Sequence, residues 1–188
     1  VPIHSDDGRT YLQAMAAAAN FAFANRQMMT HWVREVFDRE MGEQRIRLVY
    51  DVCHNIAKME EHTVDGKART VLVHRKGATR AFPAGHRALP EDLRAIGQPV
   101  LVPGSMGTAS YVLVGMDRAM KETFGSSCHG AGRAMSRTRV RSEISADELL
   151  AQMKARGIQV RGQSRAGLTE ESPQAYKPIE EIIKAQSE

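Results

Sequence analysis

The run Ser126-Ser127-Cys128-His129-Gly130-Ala131-Gly132-Arg133 combines residue types that can handle a phosphate. Glycine permits positive φ and lets the backbone approach a ligand closely. Imidazole is basic, nucleophilic and metal-binding near neutral pH. His129 sits at the edge of a glycine-bracketed turn, and Arg133 follows four residues on. The pattern suggests an anion held by the amides of Gly130, Ala131 and Gly132 and by the Arg133 guanidinium, with His129 aimed at it. Nucleotidyl transfer needs a nucleophile that attacks an α-phosphorus and then leaves, and imidazole can do so through a phosphoramidate. From these residues alone, a structural histidine bonded to a carbonyl in a tight turn is an equally good reading.

Two upstream blocks invite similar readings. Pro103-Gly104-Ser105-Met106-Gly107-Thr108-Ala109-Ser110 is either an anion nest, with Ser105 and Ser110 as side-chain donors, or a plain turn between strands. Asp51-Val52-Cys53-His54-Asn55-Ile56-Ala57-Lys58 places a histidine just past an expected strand end. His54 there suits manganese or zinc, and Asp51 is a candidate for orienting its ring; a lone histidine is more often structural. His62, after Glu60 and Glu61, is expected on a solvated face, and His4, His31 and His86 receive no role. Arg137, Arg139 and Arg141 recur at every second position. They read either as phosphate contacts along an RNA path or as a solvated charge run.

These residues need elements to carry them. Residues 7–41 read as one long helix or two abutting ones, capped by Asp6 or Asp7 and ended by Gly42. Its alanine-rich first half offers a narrow surface, and Trp32, Val33, Val36 and Phe37 have core spacing. Asn25 and Arg26 fall on its solvated face or off it with equal weight. Residues 46–52, 70–74, 99–102, 111–114 and 158–160 read as strands. Residues 117–123 and 179–186 read as helices, and Ser145 with Glu148 forms a capping box for another. The expected fold is α+β (mixed α/β): a single unit over residues 1–188, with the long helix packed on a sheet built from the strands near residues 46, 70, 99 and 111.

Composition sets bounds. The chain has 188 residues, of which 42% are hydrophobic and 26% charged, as in a globular domain. It has no apolar run long enough for a transmembrane helix and no signal-peptide pattern at its start. The start without Met reads as an internal cut. A net charge of +4 permits a polyanionic partner without requiring one. The two cysteines, Cys53 and Cys128, are too few for a disulfide framework, so a reducing, cytoplasmic setting is expected.

The three blocks, in this order, closely resemble the RtcB family of RNA-splicing ligases. The resemblance runs from Tyr11 to Lys177 and is dense in residues 16–32, 51–58, 74–82, 97–115 and 124–137. It implies the C-terminal portion of a catalytic domain, without the N-terminal half and the extreme C-terminal tail. The family's unaltered His-Gly-Ala-Gly-Arg motif makes His129 the residue that becomes guanylylated. Pro103, Gly104, Ser105, Met106 and Ser110 fall on nucleotide-contacting positions. His54 is implied as a manganese ligand, with Asn55 near the nucleotide. Tyr176, in Pro173-Gln174-Ala175-Tyr176-Lys177, matches an element that contacts the guanine site. The basic run from His74 to Arg80 matches a core motif, which suggests an RNA or phosphate role.

The implied cofactors are GTP and Mn2+, with two ions in the complete family site. The other metal ligands, an aspartate, a cysteine and two histidines, belong to the family's N-terminal half. The implied activity joins an RNA 3′-phosphate or 2′,3′-cyclic phosphate to a 5′-hydroxyl. Implied partners are RNA, as tRNA halves or broken RNA, and an archease-like activator, with no membrane. Two other readings stand beside it. One is a catalytically incomplete nucleotide- or RNA-binding remnant, and the other is a metal-dependent phosphotransferase.

Overall fold

Ser5 starts the first element. Its backbone is extended, and its Oγ accepts the amide of Gly8 at 3.1 Å. Helix α1 (Asp6–Met41) then runs for 36 residues. Asp6 and Asp7, expected as caps, instead fill the first turn, where carboxylates complement the helix dipole. Gly42 ends the helix at φ +75°. The computed structural model describes residues 1–187. It is α+β and divides into two compact units, one ending at Lys76 and one beginning at Gly77.

In the first unit, β1 (Asn55–Val64) and β2 (Lys67–Lys76) form an antiparallel hairpin in full register, from Asn55 opposite Lys76 to Val64 opposite Lys67. Asp65 and Gly66 join them at φ +52° and +73°. Two consecutive positive φ values suit the right-handed twist of a hairpin, and Asp-Gly is the dipeptide that supplies them. The hairpin meets α1 through Ala57, whose amide points at Met15 Sδ at 3.0 Å, and through Tyr11 Oη, 3.2 Å from His74 Nε2.

The strand expected at residues 46–52 is absent, and residues 44–53 form neither helix nor strand. A β-prone run becomes a strand only if a neighbour pairs its backbone. Side chains of α1 hold this one instead: Asp38 accepts the Gln44 amide at 2.7 Å, and Arg34 donates to the Ile46 carbonyl at 3.0 Å. Trp32, Val33, Val36 and Phe37, expected in the core, are exposed, Trp32 by 55%.

The second unit holds two further two-stranded antiparallel sheets, so the single expected sheet resolves into three among the described residues. One pairs β3 (Ala78–Arg80) with β6 (Ser126–Cys128), Ala78 lying opposite Cys128. The other pairs β4 (Pro99–Val102) with β5 (Tyr111–Val114). Ala81, Val100, Val102, Ala131 and Ile179 form the core, with Tyr111, Leu113 and Tyr176 packed against it. The fully buried Gln98 links the parts: its Oε1 accepts Arg80 Nε at 3.1 Å and the Phe82 amide at 3.3 Å.

The helices of this unit are α2 (Glu91–Arg94), α3 (Asp117–Glu122), α4 (Arg137–Glu143), α5 (Ala146–Ala155), α6 (Arg165–Glu170) and α7 (Ile179–Ser187). Ser145 Oγ caps α5 by accepting the Glu148 amide, as its sequence signature predicts. Residues 158–160, expected as a strand, are irregular. Arg137, Arg139 and Arg141 lie on α4, so their alternation is not a strand pattern. Arg137 and Arg141 both pair with Glu170, and Arg139 pairs with Glu143.

Candidate active site

Strand β6 ends at Cys128 and delivers His129 at its C-terminal end. A Cβ built on Gly77 would lie 3.6 Å from His129 Nε2. Gly77 also has φ +69°, which disfavours any side chain. The sequence marks Gly77 only as a turn; the pairing of β3 with β6 makes it the floor beneath the imidazole.

The two glycine turns meet directly. The Ala131 amide donates to the Pro103 carbonyl at 3.2 Å, and a Cβ on Gly130 would lie 3.3 Å from that same oxygen. The Pro103 loop is folded onto its own hydroxyls. Ser110 Oγ accepts the Gly104 amide at 3.2 Å, and Thr108 Oγ1 accepts the Ser105 amide at 2.7 Å. Gly104 has no room for a side chain, because a Cβ would lie 2.5 Å from Thr108 Oγ1 and closer still to the Ala109 carbonyl oxygen. Met106 is half-buried, and Arg156 fixes the far side of the loop by donating to the Gly107 carbonyl at 2.6 Å.

Arg133, expected at a phosphate, has each of its three side-chain nitrogens bonded within the protein. Its Nε donates to the Met135 carbonyl at 3.2 Å and its Nη2 to the Glu170 carbonyl at 2.7 Å. Its Nη1 donates to Tyr176 Oη at 3.1 Å, and the guanidinium lies 5.0 Å from the Tyr176 ring centroid. Tyr176 Oη in turn donates to Glu171 Oε2. Burial and the Glu171 carboxylate push the phenol pKa up, against the opposing pull of Arg133, so the phenol is protonated near neutral pH. Arg133 and Tyr176 also form a single antiparallel bridge, and the Lys177 amide donates to the Gly132 carbonyl at 3.1 Å. The Pro103 loop, the His129–Gly132 turn and the Tyr176 segment are therefore three separated pieces of sequence bonded to one another within one unit.

His54 and Asn55 belong to the other unit. His54 is exposed and precedes β1, whereas the sequence reading put it after a strand. Asp51, expected to orient its ring, instead takes Arg26 Nε at 2.6 Å. Arg26 also lies 3.9 Å from Cys53 Sγ and stacks its guanidinium 4.5 Å from the Phe23 ring centroid. Burial lowers the Arg26 pKa, but the bonds to Asp51 and Cys53 outweigh it and raise the pKa overall. Among the described residues, no three His, Cys, Asp or Glu side chains gather as a metal site. These residues do not by themselves fit a manganese centre; His54 offers one imidazole.

The sequence reading also missed a buried ionic cluster. His62, expected in solvent, is 4% exposed, and its Nε2 lies 3.0 Å from Glu60 Oε2. Arg75 clasps the same carboxylate through both Nη atoms, at 2.7 and 2.8 Å. Burial works to raise the Glu60 pKa, but the bonds from Arg75 and His62 prevail and hold it below its ordinary value. The signal was the i, i+2 spacing of Glu60 and His62, which puts both on one face of a strand.

Comparison with known proteins gives a consistent result. Residues 1–188 match the family model described as tRNA-splicing ligase RtcB. The chain is 57% identical over 187 residues to the tRNA-splicing ligase RtcB of Thermococcus kodakarensis, covering 97% of this chain and 39% of that protein. It is 56% identical over 192 residues to that of Pyrococcus abyssi, covering 100% of this chain and 21% of the relative. The Archaeoglobus fulgidus protein of the same name is 52% identical over 186 residues, covering 97% of this chain and 39% of its own length. The chain thus spans well under half the length of these curated relatives.

Proposed function

Because this chain belongs to the RtcB family, we propose that it is part of an RNA ligase that joins 3′-phosphate or 2′,3′-cyclic phosphate ends to 5′-hydroxyl ends during tRNA splicing and RNA repair. The observation that carries this reading is the meeting of three motifs in one unit: the His129 turn, the Pro103 loop it bonds through Ala131, and the Tyr176 segment it bonds through Gly132 and Arg133. GTP is the proposed nucleotide. A neutral His129 nitrogen attacks its α-phosphorus; an N–P bond forms, the bond to the β-phosphate oxygen breaks, and pyrophosphate leaves. The GMP then passes to the RNA 3′-phosphate oxygen, which frees the imidazole. The 5′-hydroxyl attacks that activated phosphorus, loses its proton to solvent or a base, and expels GMP.

The following roles are proposed for the residues present. Pro103, Gly104, Ser105, Met106 and Ser110 form a prefolded loop against which a nucleotide can lie without first ordering the chain, which lowers the entropic cost of binding. Gly130 and Gly132 put no side chain beside the phosphates, Ala131 lies between them with its methyl in the core, and Asn55 is assigned to the nucleotide. Arg133 acts as a brace that fixes Tyr176 for the guanine. His54 is proposed as a manganese ligand that works with groups outside the described residues. An archease-like protein is the proposed activator.

The experiment is end-joining by a full-length protein carrying this sequence, using RNA with a 3′-phosphate and a 5′-hydroxyl. Sealing that needs GTP and fails in His129→Ala is the expected result. Release of phosphate from simple monoesters without GTP would favour the phosphotransferase reading. GTP binding with no sealing would favour the remnant.

A further inference from the structure

The turn between α3 and β6 has a feature the proposed reaction does not use. After Glu122 the chain leaves α3 through Thr123, Phe124 and Gly125. The Gly125 amide donates back to the Ala119 carbonyl at 2.8 Å, and the Thr123 amide donates to the same oxygen at 3.0 Å. This closure places the residue after the cap in the left-handed region, which usually selects glycine. Here that residue is Phe124, at φ +53°, with Gly125 following at +60°. A Cβ at such φ crowds the neighbouring carbonyl, a cost glycine avoids. Phe124 is 44% exposed.

The base beneath the ring is rigid. Thr123 Oγ1 donates to the Ser126 carbonyl at 2.7 Å and lies 3.2 Å from the Ser126 amide. The Ala81 amide donates to the Gly125 carbonyl at 2.7 Å, and a Cβ on Gly125 would lie 2.6 Å from the Phe82 ring. A half-exposed aromatic ring on a locked turn, in a backbone region that usually selects glycine, meets the needs of a stacking platform. β6 leads from this turn to His129, five residues on. That separation is at most about 18 Å along the chain, within reach of a short run of nucleotides.

We propose that Phe124 stacks a base of the single-stranded RNA end whose phosphate is processed at His129. Lys121, exposed in the last turn of α3, lies near enough in the chain to meet a backbone phosphate of the same strand. Because every base offers a π-face, the platform adds affinity with little sequence preference. This inference rests on the RNA-ligase reading.

The test uses a full-length protein carrying this sequence, a short fluorescent single-stranded RNA with a 3′-phosphate, and two variants. Phe124→Gly should melt at or above the parent's temperature and form the GMP adduct at the parent's rate. It should bind the RNA about 5- to 150-fold more weakly, the range for losing one aromatic–base stack. Phe124→Trp should hold parental affinity, and the fluorescence it adds over the parent should fall as RNA is added. A Phe124→Gly protein that melts lower yet binds RNA normally per folded molecule would overturn the proposal and make Phe124 a structural plug. Normal affinity at an unchanged melting temperature, or an indole blind to RNA, would overturn it as well. If the parent forms no GMP adduct but Phe124→Gly still loses RNA affinity, the histidine mechanism falls and the platform stands.

Discussion

At the scale of single residues, His129 depends on what Gly77 lacks. Valine at position 77 would place methyls against the imidazole, since a Cβ alone comes within 3.6 Å of Nε2. Gly77→Val should slow GMP-adduct formation at least about 10-fold, equivalent to ~1.4 kcal/mol of barrier, while left-handed strain costs about 1–2 kcal/mol of stability. Single-turnover kinetics beside denaturant unfolding would separate the two effects. Glu60 makes a second residue-level case. Its folded pKa lies below its ordinary 4.5, so its stabilising contribution is complete above the unfolded value and is lost as pH falls through the folded one. Glu60→Gln should therefore flatten the loss of stability below about pH 4.5, and an acid unfolding series checks this. His129 stood out in the sequence because glycines and a basic residue surround it. It hid the His62 cluster because β1, Asn-Ile-Ala-Lys-Met-Glu-Glu-His-Thr-Val, is rich in residues that ordinarily face water.

At the scale of elements, residues 44–53 show how side chains can stand in for a missing strand partner. Arg26 on α1 grips Asp51 at 2.6 Å, three residues before His54, and Arg34 and Asp38 hold the segment further back. Both members of the Arg26–Asp51 pair are partly exposed, so their coupling should be about 1 kcal/mol or less. A double-mutant cycle with Arg26→Ala and Asp51→Ala should return that value, and either single variant should speed proteolysis within residues 44–53. Equal cleavage rates in all four proteins would show that the pair does not anchor the segment. The elements that sequence foretold best have local causes: α1 with its terminal glycine, α5 with its serine cap, and β4 and β5 with short apolar runs. β3, β6 and α4 were missed because pairing and packing from elsewhere in the chain make them. The same limit explains Arg133, whose bonds to Met135, Glu170 and Tyr176 follow from tertiary placement that no spacing encodes.

At the scale of the whole molecule, nearly all the proposed nucleotide contacts lie from Gly77 onward, while His54 and Asn55 lie before it. The exposed apolar residues of α1 suit a protein whose relatives are more than twice as long. The most direct test of the central claim is therefore made on a full-length protein carrying this sequence. Incubation with manganese and radiolabelled GTP, followed by peptide mapping, should place a single GMP on His129. The linkage should be stable in base and labile in acid, because a phosphoramidate hydrolyses once its nitrogen is protonated. GMP recovered instead on Lys58, Lys76 or Lys177, or full RNA sealing by the His129→Ala protein, would contradict the account.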